Sequence, residues 1–228
     1  MPGLRCLVME LLEALRGTGS VRAFTGEPVD DALVRQLLDD ARFAPSGGNR
    51  QGWRVAVIQD RALRRQLADL MAPVWNEYRA YAATDVTPFT AAPPAGFVPP
   101  APPFVEVPNP LLDGLDSVPV MLVIAADLTQ VAMMDKDLDR PAIVGGASIY
   151  PFCWNLLLAA RARGLGGVMT TFLARAEPAA RSLLGLPDDW VIAGTIFLGH
   201  PVHQPTKLRR DPVAAFATVD RFDGTVFS

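Results

Sequence analysis

Nine of the chain's 21 prolines fall between residues 88 and 110, in PFTAAPPAGFVPPAPPFVEVPNP. Proline at this density removes backbone donors and forbids both helix and central strand. Whatever regular core the chain builds must therefore come from the segments on either side. Phe89, Phe97, Phe104 and several valines lie inside the stretch, more apolar bulk than a solvated linker carries. Two readings stand: a linker between two units, or an ordered excursion, about residues 86–117, over a pocket. The second is favoured. The flanks do not read as separate domains, and long structureless segments in compact domains are often lids or binding loops. A single domain over residues 1–228 is expected.

The flanks carry clear periodicities. Leu4, Leu7, Val8, Leu11, Leu12 and Leu15 fall at helical spacing and predict a first helix over 4–16. A second is expected from Asp30 to Phe43, with Leu33, Val34, Leu37, Leu38 and Ala41 on its apolar face. WRVAVI (Trp53–Ile58) reads as a strand, and Asp60 to Tyr81 as a helix. VPVMLVIAA (Val118–Ala126) reads as a strand buried on both faces. PAIVGGASIYPFCWNLLLAARARG is expected to form one long helix, kinked by Pro151 and capped by Gly164. A short strand (GGVMTT), a short helix (EPAARSLLGL), a long strand (WVIAGTIFLGHP) and a basic segment (KLRRDP) complete the chain. Helices and strands interleave without the spacing of a doubly wound parallel sheet.

Composition excludes several functions. The 228 residues are 50% hydrophobic and 20% charged, with a net charge of -3. No basic field exists, so nucleic acid is not expected as a partner. Cys6 and Cys153 have no metal-type spacing and read as small buried hydrophobes; with only His200 and His203 beside them, no metal site is expected. Pro141–Ala160 carries no charge, but its glycines, Pro151 and Asn155 favour a buried or interface helix over a membrane span. The N-terminus lacks a signal-peptide layout, and a cytoplasmic protein is expected. Fingerprints for dinucleotide-binding folds, P-loops, zinc proteases and nucleophile-elbow hydrolases are absent. Paired carboxylates such as Asp39–Asp40 are adjacent, point apart on a helix, and read as solvated.

What remains is a set of small polar segments. GTGSVRAF (17–24) offers backbone N–H groups, two hydroxyls and Arg22; APSGGNRQGW (44–53) offers glycines, Asn49 and Gln51. GVMTT (167–171) offers strand-edge backbone, and KLRR (207–210) three cations. Such groups suit a ligand with a phosphate at one end and a flat polar ring at the other. On residue chemistry alone, ordinary loops explain them equally well.

The order and context of these segments resemble the flavin-dependent nitroreductase family. The resemblance spans nearly the whole chain. It is most specific in GSVRAFTGEPVDDALVRQLLDDARFAPSGGNRQGWRVAVI (19–58), supported by NLLLAARARGLGGVMTT (155–171) and the late LGHP…RRDP. It implies an α+β fold: a central, mostly antiparallel sheet flanked by helices, in an intertwined homodimer with FMN at the subunit interface. The uncharged helix would then pack on its symmetry mate. Thr18, Gly19 and Ser20 would contact the FMN phosphate and ribityl chain, and Arg22 the pyrimidine edge. Pro45, Ser46, Gly47 and Asn49 would line the ring from the partner chain. Met169, Thr170 and Thr171 would follow the ring edge, and Arg210, with Lys207 or Arg209, would clamp the phosphate. Trp53 reads as strand-start packing and Arg50 as surface.

The implied reaction is ping-pong: NADPH or NADH gives a hydride through FMN, then an electron-poor acceptor such as a nitroaromatic or quinone takes it. No side chain need act as acid or base. Two alternatives stay open. The same fold and flavin can serve another redox reaction (dehalogenation, flavin fragmentation, natural-product dehydrogenation), or the protein binds flavin without turnover. The chain also departs from the family. Thr18 and Gly19 stand where an arginine usually precedes the serine. One charge-assisted bond is worth about 1.5–3 kcal/mol: either Arg16, or Lys207 and Arg209, compensate, or FMN binds loosely. The proline-rich stretch is also unlike the family's usual short helical excursion, so specificity does not carry over.

Overall fold

A computed structural model describes residues 9–227. Four strands form one sheet: β1 (Trp53–Val57), β2 (Val120–Asp127), β3 (Gly166–Thr170) and β4 (Trp190–Gly199), in the order β1-β2-β4-β3. Every neighbouring pair is antiparallel. The helices are α1 (Leu11–Gly17), α2 (Asp31–Ala41), α3 (Arg61–Ala80), α4 (Pro110–Asp113), α5 (Tyr150–Ala162), α6 (Phe172–Arg175) and α7 (Glu177–Leu184). This is the α+β architecture expected.

All eight residues of β2 are buried, because the sheet is covered on both faces. The side-chain period of two sends Met121 and Val123 into one core, with Leu67 and Met71 of α3, Leu111, Leu115 and Phe197. Val120, Leu122 and Ile124 enter the other, with Val34 and Leu37 of α2 and Phe152 and Leu156 of α5. Helix starts follow their caps. Asp30 accepts the Ala32 N–H at 2.9 Å and Asp60 the Leu63 N–H at 2.7 Å, each satisfying an orphan donor. Trp53 stacks on Phe152 with ring centroids 5.0 Å apart, as strand-start packing requires. Burial pushes the Cys153 thiol up to about 12, which leaves it an inert core residue.

Two helices differ from expectation. Residues 4–8 of the first lie outside the described residues, and α1 begins at Leu11. Leu11, Leu12 and Leu15 stay exposed in the single chain. The long helix from residue 141 is instead a 3₁₀ turn (Val144–Ser148) followed by α5 from Tyr150. Pro151 sits in the first turn of α5, where its missing N–H costs nothing, so it opens the helix instead of kinking it. A Cβ at Gly145 would meet Met133 at 2.8 Å, and one at Gly146 the Tyr150 ring at 2.9 Å. Those glycines serve close packing. The interior helical proline is Pro73, in α3. No helix among the described residues is long and apolar enough to cross a membrane.

The turn before α5 is pinned by Asp135. Its carboxylate accepts the Ile143 N–H at 2.8 Å and an Arg140 guanidinium N–H at 2.7 Å. The Ile143 N–H above all, with the Arg140 and Val144 bonds, holds this carboxyl below its ordinary value. A depressed carboxylate contributes stability fully above its unfolded value and loses it as pH falls through the folded one. Asp135→Asn is therefore expected to be less stable than the parent near neutral pH, with the gap closing below about pH 4. Thermal unfolding across that range checks it; a gap independent of pH would refute the assignment.

The proline-rich excursion is packed onto α3. Phe97 lies against Tyr81 with centroids 5.9 Å apart, the Trp75 indole N–H donates to the Val107 carbonyl at 3.0 Å, and Asn76 Oδ1 accepts the Val107 N–H at 2.9 Å. Leu111 and Leu112 then plug into the core.

Candidate functional site

The segment after α1 is laid against the edge of β3. Thr18 Oγ1 donates to the Ala14 carbonyl at 2.6 Å, closing α1 and occupying the hydroxyl proton a phosphate would need. Gly19 is buried; a Cβ there would meet Pro205 at 2.8 Å and Leu208 at 2.9 Å. Glycine is what lets the 205–208 segment approach this loop, with the Gln204 amide reaching the Gly19 carbonyl at 3.5 Å. Ser20 bridges to Gly167 in parallel sense, and the Val21 N–H donates to the Gly167 carbonyl at 2.9 Å. That carbonyl points away from β4. Backbone groups alternate along a strand, so the N–H and C=O of Met169 also point off this free edge. Thr170 faces Thr195 across the ladder, and the hydroxyls of both are buried with no partner among the described residues.

A cleft of about 410 Å³ opens beside that edge. It is lined by Arg22 with Met169, Thr170 and Thr171, by the aromatic residues Trp75, Tyr78 and Phe172, and by Asn109, Pro110 and Leu111. Arg22 is exposed. Among the described residues, neither Arg22 nor Lys207, Arg209 or Arg210 lies within 4.0 Å of a carboxylate. Arg210 Nη1 donates to the Arg209 carbonyl at 2.7 Å. The packing of Pro205 and Leu208 on Gly19 brings this cationic segment to the loop that carries Ser20.

The loop 44–52 is held elsewhere. The Gly47 N–H donates to Ser148 Oγ at 3.1 Å, and Ser46 Oγ accepts the Gln51 N–H at 2.9 Å. Gly48, Asn49 and Gln51 are all left-handed, with φ of 61°, 53° and 51°. Pro45, Gly47, Asn49 and Arg50 are exposed, and none of residues 45–49 lines the Arg22 cleft. The chain thus joins the 18–22, 169–171 and 207–210 groups and leaves the 45–49 group apart. Trp75, Tyr78, Phe172 and Asn109 were not singled out from the sequence. The one signal for them was the three-residue spacing of Trp75 and Tyr78, which shares a helix face.

The "Nitroreductase family" model matches residues 15–200. The chain belongs to the nitroreductase family. This nitroreductase-family protein is 28% identical over 193 residues to a 5,6-dimethylbenzimidazole synthase of Rhodobacter capsulatus, covering 84% of this chain and 83% of that one. It is 27% identical over 209 residues to a nitrobenzene nitroreductase of Ectopseudomonas oleovorans, covering 82% and 85%. Among solved structures, an NADPH:FMN oxidoreductase from Vibrio harveyi, complexed with NAD+, superposes with a TM-score of 0.66 at 20% identity, over 92% of this chain and 76% of that one. That likeness shows the fold. The family and its relatives make this nitroreductase-family protein an oxidoreductase.

Proposed function

We propose that this protein is an FMN-dependent oxidoreductase that moves a hydride from NADPH or NADH to electron-poor acceptors such as nitroaromatics or quinones. One observation carries the reading: an arginine with no carboxylate partner among the described residues shares a cleft with the outward-facing edge of β3. The residues present fit a flavin. The buried Thr170 hydroxyl lacks a partner, and a polar ligand edge would supply one. Glycine at 166 leaves the space that the Val21 side chain needs beside the strand, where a Cβ would meet it at 2.6 Å.

In this reading Arg22 places positive charge against the pyrimidine edge, and the Met169 N–H faces the ring from the strand edge. Thr170 and Thr171 continue that edge. Lys207, Arg209 and Arg210 hold the phosphate beside Gly19 and Ser20, and Thr18 contributes backbone only. Bound FMN supplies the two-electron chemistry. Net, the nicotinamide gives up a hydride, and the acceptor gains two electrons and takes its remaining protons from solvent. Arg22 stabilises negative charge that accumulates at the ring on reduction.

A second copy of the chain is part of the proposal. Leu11, Leu12 and Leu15 on α1 and Tyr150 and Trp154 on α5 are exposed in one chain, and a homodimer would cover such surface. It would also bring Pro45, Ser46, Gly47 and Asn49 of one protomer to the other's cleft. Asn49→Gly, which keeps the left-handed backbone and removes the amide, is expected to lower FMN retention while leaving dimer mass and thermal midpoint in place. Flavin content equal to the parent's would remove Asn49 from the site. The whole chain is read as one unit, working in the cytoplasm.

The visible spectrum of purified protein, followed by anaerobic NADPH and NADH titration, tests the reading. A flavin spectrum bleached by a nicotinamide supports it, and protein that stays colourless after FMN is added overturns it. The relative named 5,6-dimethylbenzimidazole synthase favours a second reading, another redox reaction on the same fold and flavin. Bleaching by dithionite but by neither nicotinamide would turn the assignment that way.

A further inference from the structure

The flavin reading leaves one side of the cleft unused. Trp75 and Tyr78 project from one face of α3 with ring centroids 5.9 Å apart and planes 21° apart. Phe172, at the start of α6, stands edge-on to Trp75 at 6.0 Å and 61°, and 6.4 Å from Tyr78. Three aromatic rings from two elements thus gather beside Arg22 and the β3 edge. The end of the proline-rich excursion, through Asn109, Pro110 and Leu111, also lines the cleft.

That wall is strapped in place. The Trp75 indole N–H is shared between the carbonyls of Val107, at 3.0 Å, and Pro108, at 3.3 Å. Asn76, the next residue, accepts the Val107 N–H at 2.9 Å. Pro108 and Pro110 fix two φ angles nearby. Asn109 caps α4 by accepting the Leu111 N–H at 3.1 Å, and Leu111 and Leu112 are buried behind it. A wall tied to α3 on one side and to the core on the other cannot retreat to admit a larger guest without breaking those bonds.

Size follows. The cleft's volume of about 410 Å³ lies low in the range of small-molecule sites, roughly 300–1,000 Å³. On the flavin reading, the ring held by Arg22 and residues 169–171 takes part of that space. Aromatic faces favour stacked, electron-poor rings, and Arg22 favours an anionic substituent.

We infer that Trp75, Tyr78 and Phe172, closed by the strapped segment 107–111, form the compartment for the electron acceptor. It takes flat, electron-poor molecules of one or two fused rings, and Trp75 sets the limit. This rests on the proposed flavin reading, because the size limit follows from the ring's share of the cleft as well as from the strapped wall.

Calorimetric titration of the oxidised holoprotein with 4-nitrobenzoate and with anthraquinone-2-sulfonate tests it. Both are planar, electron-poor and singly anionic, and they differ in carrying one ring or three. The parent is expected to bind the one-ring anion about tenfold or more tighter, the scale of an overpacking penalty. Trp75→Phe keeps a ring and loses the indole N–H; Asn76→Ala cuts the second tie without touching the aromatic cluster. Each is expected to reduce the preference to about threefold or less, through tighter binding of the three-ring anion. Equal affinities in the parent, or a preference unmoved in both variants, overturn the inference. Flavin spectrum and nicotinamide bleaching are recorded on the same samples. Yellow, reducible protein without the preference refutes the compartment alone. Protein that stays colourless after FMN is added refutes the flavin reading, and with it the size limit.

Discussion

Arg22→Met is expected to slow anaerobic flavin bleaching by NADPH or NADH about tenfold to a hundredfold. Removing one preorganised donor at a centre of developing charge costs about 10²–10³ in rate in a buried site. Arg22 is exposed, so solvent takes up part of that loss. The fold has little stake in the residue. Among the described residues it has no ion pair, and exposed positions away from special features change stability by about 0.5 kcal/mol or less. Arg22→Lys should fall between, because the charge stays and the planar fork goes. Stopped-flow absorbance at matched flavin content gives the rate. A rate in Arg22→Met equal to the parent's would take Arg22 out of the electron-transfer site.

The second large effect is on affinity. Lys207→Ala combined with Arg210→Ala is expected to weaken FMN binding about a hundredfold or more. A charge-assisted hydrogen bond is worth about 1.5–3 kcal/mol, or roughly tenfold or more per cation. The usual arginine before Ser20 is absent, and the Thr18 hydroxyl proton is committed to Ala14. On the proposed reading the phosphate would depend on the 207–210 segment more than it would with that arginine in place. Neighbouring cations also repel one another, so the two losses should not add fully. Fluorescence titration of deflavinated protein with FMN measures the effect, and riboflavin locates it. A loss confined to FMN supports a phosphate role; equal losses for FMN and riboflavin would refute it.

Much of the fold was legible because local chemistry and tertiary context agree. β2 is an unbroken apolar run because both its faces are covered, and α2 and α3 start one residue after aspartates that cap them. The stretch from residue 141 misleads because Gly145 and Gly146 interrupt helical propensity for reasons of packing against Met133 and Tyr150, which no local pattern reveals. Pro151 carries the same ambiguity: a first-turn proline and a kinking proline look alike until the helix start is known. At the site, the short polar segments were visible as composition, and Arg22 and residues 169–171 do meet at one cleft. The aromatic side of that cleft was not visible. Phe172 lies far along the chain from Trp75, and the packing of α6 on α3 brings them together, while the proline-rich stretch returns over α3 beside Trp75.

An exposed sheet edge is ordinarily a hazard, because a row of unpaired amides can recruit a strand from another molecule. β3 is such an edge, yet very little of it is open. Ser20 and Val21 cover it at Gly167, and the chain turns into α6 at Phe172. What stays unpaired is centred on Met169, one residue's worth of outward-facing N–H and C=O. A second strand would find too little to grip there, whereas a small molecule needs no more. The same fold thus keeps a hydrogen-bonding edge available to a ligand and closed to aggregation.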